Sequence, residues 1–172
     1  REIKRLVINV PPRSLKSVSV SVAFPAWCMG HDASLKFMCA SYSEKLAFDL
    51  SMDTRRVMTD PWYKLCFPNT MIAEDQNEKS KFSTTKQGYR IATSVGGRAT
   101  GMGGDFLVTD DASSPEDALS DTIREGHLRW HDNTWTSRLN NKNEGVMIVV
   151  GQRLHIRDLP GHLLAEGGWT YL

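Results

Sequence analysis

The stretch Asn9-Val10-Pro11-Pro12-Arg13-Ser14-Leu15-Lys16-Ser17 decides how the rest of this chain is read. It follows the apolar run Leu6-Val7-Ile8, which reads as a short buried strand over Leu6–Val10, and it leads into a helix expected over Ser17–Met29. Ser and Val alternate from Ser17 to Val22, which weakens the helix propensity and would also suit a strand. A strand, a tight polar loop ending in Lys-Ser, and a helix together form the usual setting of a phosphate-binding loop. Backbone N–H groups and the positive end of the helix face the phosphates, the lysine reaches the β and γ oxygens, and the next hydroxyl holds Mg²⁺. The pattern G-x-x-x-x-G-K-[ST] would place glycines at Val10 and Leu15, so on the loop alone an ordinary Lys-Ser helix start is an equal reading.

At 172 residues the chain is long enough for one domain with a proper core and short for two. With 40% apolar and 24% charged residues and a net charge of +1, it has no bulk basic excess, so any contact with nucleic acid must come from a local patch. Cys28, Cys39 and Cys66 show no C-x-x-C spacing and read as buried reduced thiols rather than a disulfide framework or zinc site. No apolar run is long enough to span a bilayer. The chain opens at Arg1 and enters a strand almost at once, so it is expected to be a piece of something longer.

Outward from the loop, strands and helices alternate. Leu35–Ala40 is apolar throughout and suits a strand buried on both faces, and Ser43 is a plausible N-cap for a helix over Ser43–Met58. Pro61 opens a short helix through Cys66. Glu74–Lys81 is polar and reads as an exposed loop, and Phe82–Thr85 with Tyr89–Val95 across Gln87-Gly88 reads as a hairpin. Five glycines between Gly96 and Gly104 mark a loop that needs φ > 0 or close approach to its backbone. After the strand Phe106–Thr109, Pro115–Leu139 is expected to be the longest helix, capped by Ser114. Val146–Val150 is a further strand, Asp158–Glu166 a helix closed by Gly167-Gly168, and Trp169–Leu172 the start of one more strand. This alternation predicts a mostly parallel sheet with helices on both faces.

Phe106-Leu107-Val108-Thr109-Asp110-Asp111 delivers two carboxylates at the C-terminal end of a strand, where ligands bind in open α/β sheets. In a nucleoside triphosphatase the first acid holds Mg²⁺ and the second orients and deprotonates the attacking water. Adjacent acids also form turns, and Asp111-Ala112-Ser113-Ser114-Pro115 would serve equally to cap the following helix. Combined with Lys16-Ser17, the catalytic reading is the stronger one.

These residues carry a resemblance that runs nearly end to end. The sequence resembles the ATPase domain of the large terminase subunit, the DNA-packaging motor of tailed bacteriophages. The resemblance rests on Leu6 through Ser17, Phe24-Pro25-Ala26-Trp27, Cys39-Ala40-Ser41-Tyr42-Ser43, Pro61-Trp62-Tyr63, Ala92-Thr93-Ser94-Val95-Gly96-Gly97 with Thr100-Gly101, Asp105 to Asp111, and Gln152-Arg153-Leu154-His155 with Asp158-Leu159. It implies an α/β P-loop NTPase fold of the RecA-like (ASCE) kind, with a mostly parallel central sheet flanked by helices. It further implies that residues 1–172 form a single ATPase domain, lacking the N-terminal adenine-binding segment and the C-terminal nuclease. ATP and Mg²⁺ would be the cofactors. The implied partners are double-stranded viral DNA, the portal protein, the small terminase subunit and further copies in a ring, in the cytoplasm of an infected bacterium and transiently on the procapsid.

By the same resemblance, Pro12, Arg13, Ser14, Leu15, Lys16 and Ser17 form the nucleotide-binding loop, and Arg13 senses or stabilises the γ-phosphate. Ser17 and Asp110 serve Mg²⁺, Asp111 is the catalytic carboxylate, and Gln152 couples hydrolysis to movement. Met102 stands where related chains often carry an arginine, leaving Arg98 as the arginine of the glycine-rich loop. Leu15 departs from the pattern: its isobutyl group is expected to crowd the nucleotide or the neighbouring turn, so that Leu15→Gly would tighten ATP binding at least about tenfold. A degenerate, non-hydrolysing interaction module is the alternative this departure leaves open.

Other constellations have plainer readings. His127 and His131 lie four apart but lack the glutamate of H-E-x-x-H, so a helix face with two partly exposed histidines is the stronger reading. Trp130 and Trp135 read as core or interface anchors. Arg138 and Lys142 fit DNA phosphates and helix-dipole complementation equally well. Asp105 with Asp110 and Asp111 would make a two-metal nuclease only if a further acid joined them, and none is placed to do so.

Overall fold

In the computed structural model, described for residues 2–97 and 101–172 with the side chains of 75–77 excepted, one eight-stranded sheet organises the domain. The strands are β1 (Arg5–Asn9), β2 (Lys36–Ser41), β3 (Ile72–Asn77), β4 (Lys81–Thr84), β5 (Tyr89–Ser94), β6 (Phe106–Asp110), β7 (Val146–Gly151) and β8 (Thr170–Tyr171). Their spatial order is β3-β4-β5-β2-β6-β7-β1-β8. The pairs from β5 through β8 are parallel, and the β3–β4 and β4–β5 pairs are antiparallel.

The central strands are apolar on both faces, as the sequence led us to expect. Along β6, Phe106 and Val108 face one layer while Leu107 faces the other, and β2 and β7 alternate in step. One layer packs Phe37, Phe106, Val108 and Ile148 beneath α1 (Phe24–His31), α2 (Glu44–Thr59) and α3 (Pro61–Cys66); Phe37 and Phe106 stack at 4.5 Å between ring centroids. The other packs Met38, Leu107, Met147 and Val149 against Trp130, Trp135 and Leu163, the last on α5 (Leu159–Glu166). Hydrophobic cover on both sides is the physical requirement of a parallel sheet.

Three elements depart from expectation. Glu74–Lys81 is a loop only at residues 78–80: residues 72–77 form the edge strand β3, pairing antiparallel with β4. An edge strand is held by backbone hydrogen bonds to its single neighbour, so it carries no apolar alternation to betray it. The helix expected over Pro115–Leu139 is broken. A 3₁₀ turn at Asp117–Leu119 ends at Ser120, whose extended backbone and hydroxyl restart the chain as α4 (Asp121–Trp130), with Ile123 N–H donating to Ser120 Oγ at 3.4 Å. A π turn, His131–Trp135, follows. Serine competes for backbone hydrogen bonds in this way and so favours caps over helix interiors. Finally, Cys66 is exposed, whereas Cys28 and Cys39 are buried, and none of the three is in a disulfide.

Ser43 caps α2 where the sequence placed it, accepting from Leu46 N–H at 3.3 Å, and Asp158, expected as the first helical residue, instead caps α5, accepting from Gly161 N–H at 2.9 Å. In the β4–β5 hairpin, Gly88 lies so close to Ala33 that a Cβ would sit 2.2 Å from its carbonyl oxygen, so only glycine fits there.

Candidate nucleotide site

The loop after β1 reaches its shape without glycine. Arg13 and Leu15 both take left-handed backbone conformations, with φ of 62° and 60°. Ser14 Oγ donates to Pro11 O at 2.7 Å, and Ser19 N–H donates to Leu15 O at 2.9 Å to begin the helix. Left-handed residues within a tight turn gather backbone N–H groups into a concavity suited to anions. In a non-glycine residue this conformation costs about 1–2 kcal/mol. The neighbouring turn is not crowded: Leu15 points outward and is 70% exposed. Its departure from the glycine pattern is therefore a matter of backbone strain within the domain. Pro12 and Arg13 are also exposed on this loop, while Lys16 and Ser17 turn inward to partial burial.

The sheet brings the two acids to this loop. β7 lies between β1 and β6, so the loop after β1 and the end of β6 flank the end of β7 at one edge. Lys16 Nζ sits 3.0 Å from Asp111 Oδ2, in an ion pair with 10% and 22% of the side chains exposed. Asp111 is held by its own N–H donating to Val150 O at 2.9 Å and its carbonyl accepting from Tyr42 N–H at 3.0 Å, with φ at 46°. Gly151, at the end of β7, has no side chain to displace it; a Cβ there would lie 3.1 Å from Asp111 Oδ1. Gln152 follows directly and lines the same small cleft as Asp111.

Asp110 is 1% exposed. Burial pushes its carboxyl pKa up; hydrogen bonds from Ser21 and Ser17 oppose that shift, the charge of Asp111 adds to it, and Lys16 opposes it. Ser21 Oγ donates to Asp110 Oδ2 at 2.7 Å, while Oδ1, fully enclosed, has no hydrogen-bond partner among the described residues. An enclosed carboxylate oxygen without a donor, beside the Ser17 hydroxyl, is a hard-oxygen arrangement that fits Mg²⁺. Asp105 stands at the opposite end of β6, accepting from Lys36 N–H at 2.9 Å and Asn140 Nδ2 at 3.0 Å. A five-residue strand spans roughly 15 Å, so the three acids do not converge as a two-metal nuclease centre.

Sequence reading missed the support beneath Asp110, namely Ser21, Thr54 and Arg90. The signal lay in Pro25, which has no N–H to offer the carbonyl of Ser21 four residues earlier and disturbs the helix there. Val18–Ala23 is wound as a π turn, with Phe24 N–H bonding to Ser19 O. Arg98 and Thr100 lie outside the described residues. His127 and His131 do not act together: His127 Nδ1 lies 2.8 Å from Ser113 Oγ, and His131, expected to be partly exposed, is 2% exposed with Nδ1 2.9 Å from Asp132 Oδ1. Trp130 and Trp135 are core residues, stacked at 5.0 Å, and Trp130 Nε1 donates to Gly97 O at 3.1 Å.

A mostly parallel sheet flanked by helices, with a strand–loop–helix at one strand end and an acid pair at the end of the next strand but one, is an α/β fold of the RecA-like kind. Among solved structures the fold is that of part of a phage large terminase. The large terminase of bacteriophage HK97 is 16% identical at a TM-score of 0.54, covering 91% of this chain and 31% of its own. The large terminase of a thermophilic bacteriophage, in complex with ADP, is 14% identical at a TM-score of 0.60, covering 99% of this chain and 40% of its own. A second crystal form of that thermophilic phage protein gives 12% identity and a TM-score of 0.61 over the same shares. This chain thus spans between about a third and two fifths of the length of those proteins. No family model and no curated protein sequence matches it.

Proposed function

We propose that this domain binds ATP with Mg²⁺ and hydrolyses it as the motor part of a large terminase, driving double-stranded viral DNA into a procapsid. The observation that supports this most is the meeting of Lys16, Asp111 and the enclosed Asp110 at the end of one sheet edge, beneath a left-handed loop. The ADP complex of the thermophilic phage terminase, which shares the fold, supports nucleotide as the ligand.

Each residue then has a task. The N–H groups of Pro12 to Ser17 that the loop gathers, proline excepted, bind phosphate oxygens, and Lys16 exchanges Asp111 for the β and γ oxygens. That exchange frees the Asp111 carboxylate to take the proton of the attacking water. Ser17 and Asp110 Oδ1 would hold Mg²⁺, which when bound neutralises charge on the phosphates. Arg13, exposed at the rim of the loop, stabilises the γ-phosphate, and Gln152 beside Asp111 passes the change at the acid to the chain after β7. Portal protein, small terminase subunit and a ring of copies are the partners this role requires, in the cytoplasm of an infected bacterium. No helix among the described residues is long and apolar enough to cross a membrane.

A second reading, a nucleotide-binding module without turnover, is favoured by the strain at Leu15. The two are separated by ATP turnover of the full-length protein with Mg²⁺ and DNA. For the motor, Asp111→Asn lowers turnover by about 10²–10⁴-fold while nucleotide still binds at least as tightly, since Lys16 no longer has an ion pair to leave. Absence of turnover in the unaltered protein supports the module, and full turnover in Asp111→Asn moves the base elsewhere.

A further inference from the structure

Arg90 is a charged residue that neither phosphate chemistry nor packing has so far used. It lies on β5 with 0% of its surface exposed. Its Nη2 donates to Ser21 O at 3.1 Å, and Nε and Nη1 have no hydrogen-bond partner among the described residues. Burial lowers its pKa, against the opposing charges of Cys39 and Asp110. A buried guanidinium so poorly satisfied works against stability and is replaceable by an apolar side chain of similar volume on packing grounds alone. Its position suggests what it does instead.

The carbonyl it holds is the one that Pro25 leaves without a helical donor four residues on. Thr54 Oγ1, from α2, donates to the same carbonyl at 3.3 Å. Two side chains from different elements thus converge on one carbonyl of the π turn in which Ser21 sits, and they fix its position. The hydroxyl of Ser21 is in turn committed to Asp110 Oδ2 at 2.7 Å, which leaves Oδ1 as the free oxygen. We propose that Arg90 is a positioning residue for the cation-binding carboxylate: by holding the Ser21 carbonyl it aims the Ser21 hydroxyl at Oδ2, and so presents Oδ1 of Asp110 to the metal. The proposal rests on the reading of Asp110 as a Mg²⁺ ligand given above.

The test is a titration of Mg²⁺ against binding of a fluorescent ADP analogue to the full-length protein, with parallel binding measured in chelator. Arg90→Met, which keeps volume and removes the hydrogen bond, raises the Mg²⁺ concentration of half-effect about tenfold and leaves metal-free nucleotide affinity unchanged. Ser21→Ala produces the same shift, and the double variant shifts no further than either alone, because both break one chain of contacts. Arg90→Lys, with charge but a single compact donor group, falls between Met and the native residue. Ser21→Ala, which leaves Arg90 in place, serves should Arg90→Met not fold. A wild-type midpoint in a folded Arg90→Met, or in Ser21→Ala, overturns the proposal. So do shifts of Arg90→Met and Ser21→Ala that simply add. Nucleotide binding by the unaltered protein that ignores Mg²⁺ overturns the reading of Asp110 and this inference with it, an outcome distinguishable from the others because it appears before any substitution.

Discussion

Strand β6 passes through two unlike environments within four residues. Leu107 is in register with Met38 and Met147 and is 0% exposed among apolar neighbours. Asp110, in register with Ser41 and Val150, is 1% exposed, yet it carries a carboxylate with one oxygen unpartnered. Burial is nearly equal, and its consequence is opposite. At Leu107 burial stabilises, because apolar surface leaves water and is replaced by close contacts. At Asp110 burial works against folding, because a charge leaves water and is only partly compensated. The same edge holds the left-handed Arg13, Leu15 and Asp111, and the under-bonded Arg90 reaches Ser21 behind it. The interior rows of the sheet supply the stability, and the strand ends use part of it to hold groups in positions they would not choose.

The contrast makes predictions of opposite sign along one strand. The largest concerns the interior: Leu107→Ala should destabilise the domain by about 2–5 kcal/mol, a fall in Tm on the order of 10 °C by scanning calorimetry. A loss below about 1 kcal/mol would mean that the core does not rest on this strand. Next in size is Asp110→Asn, which should raise stability. Because the folded protein holds the Asp110 proton more tightly than the unfolded chain does, ionisation at neutral pH opposes folding, and removing the charge lifts Tm by roughly 2–4 °C while Mg²⁺-dependent nucleotide binding is lost. A lowered Tm would place Asp110 with Leu107 rather than against it.

His131 sharpens the comparison from the apolar side, being a titratable group 2% exposed beside Trp169. Burial is the chief force on its pKa, holding it below the ordinary 6.5, with Asp132 and Glu166 opposing and His162 assisting. The folded protein therefore binds the proton less readily than the unfolded chain. Its contribution to stability is intact above pH 6.5 and is lost as pH falls below that value, by at most about 1.4 kcal/mol per pH unit. Urea midpoints taken from pH 7.5 to 5 should decline in the native protein and flatten in His131→Gln; parallel profiles would remove His131 as the cause. The smallest effect belongs to Leu15→Gly. With the side chain in solvent and the left-handed turn already made, ATP affinity should tighten by less than the tenfold expected of crowding. A tenfold or greater gain by titration would show that the isobutyl group meets the ligand.

How much of this was legible beforehand follows from range. Runs such as Val146–Val150 and Phe106–Thr109 announce strands because their apolar character is local and continuous, and Ser43 announces a cap because a cap is a contact with the next few residues. Lys16, Ser17, Asp110 and Asp111 were legible as a group for a related reason: each sits at the end of an element whose type the neighbouring residues declare. β3 was not, since its polar residues are held in a strand by backbone bonds to β4. The division of Pro115–Leu139 at Ser120 was also hidden, because the pattern around it suits one helix as well as two.

By itself, then, the sequence determined the parallel apolar sheet, its caps and the loop-and-acid arrangement, all of which depend on the order and chemistry of residues near one another in the chain. Only the tertiary structure decided that Lys16 closes on Asp111 rather than Asp110, that Leu15 faces solvent, and that Arg90 reaches Ser21 across 69 positions of sequence. The physical reason is that a buried charge or an unsatisfied carbonyl is defined by what surrounds it in space, and those surroundings come from strands and helices that the chain brings together only when the sheet forms.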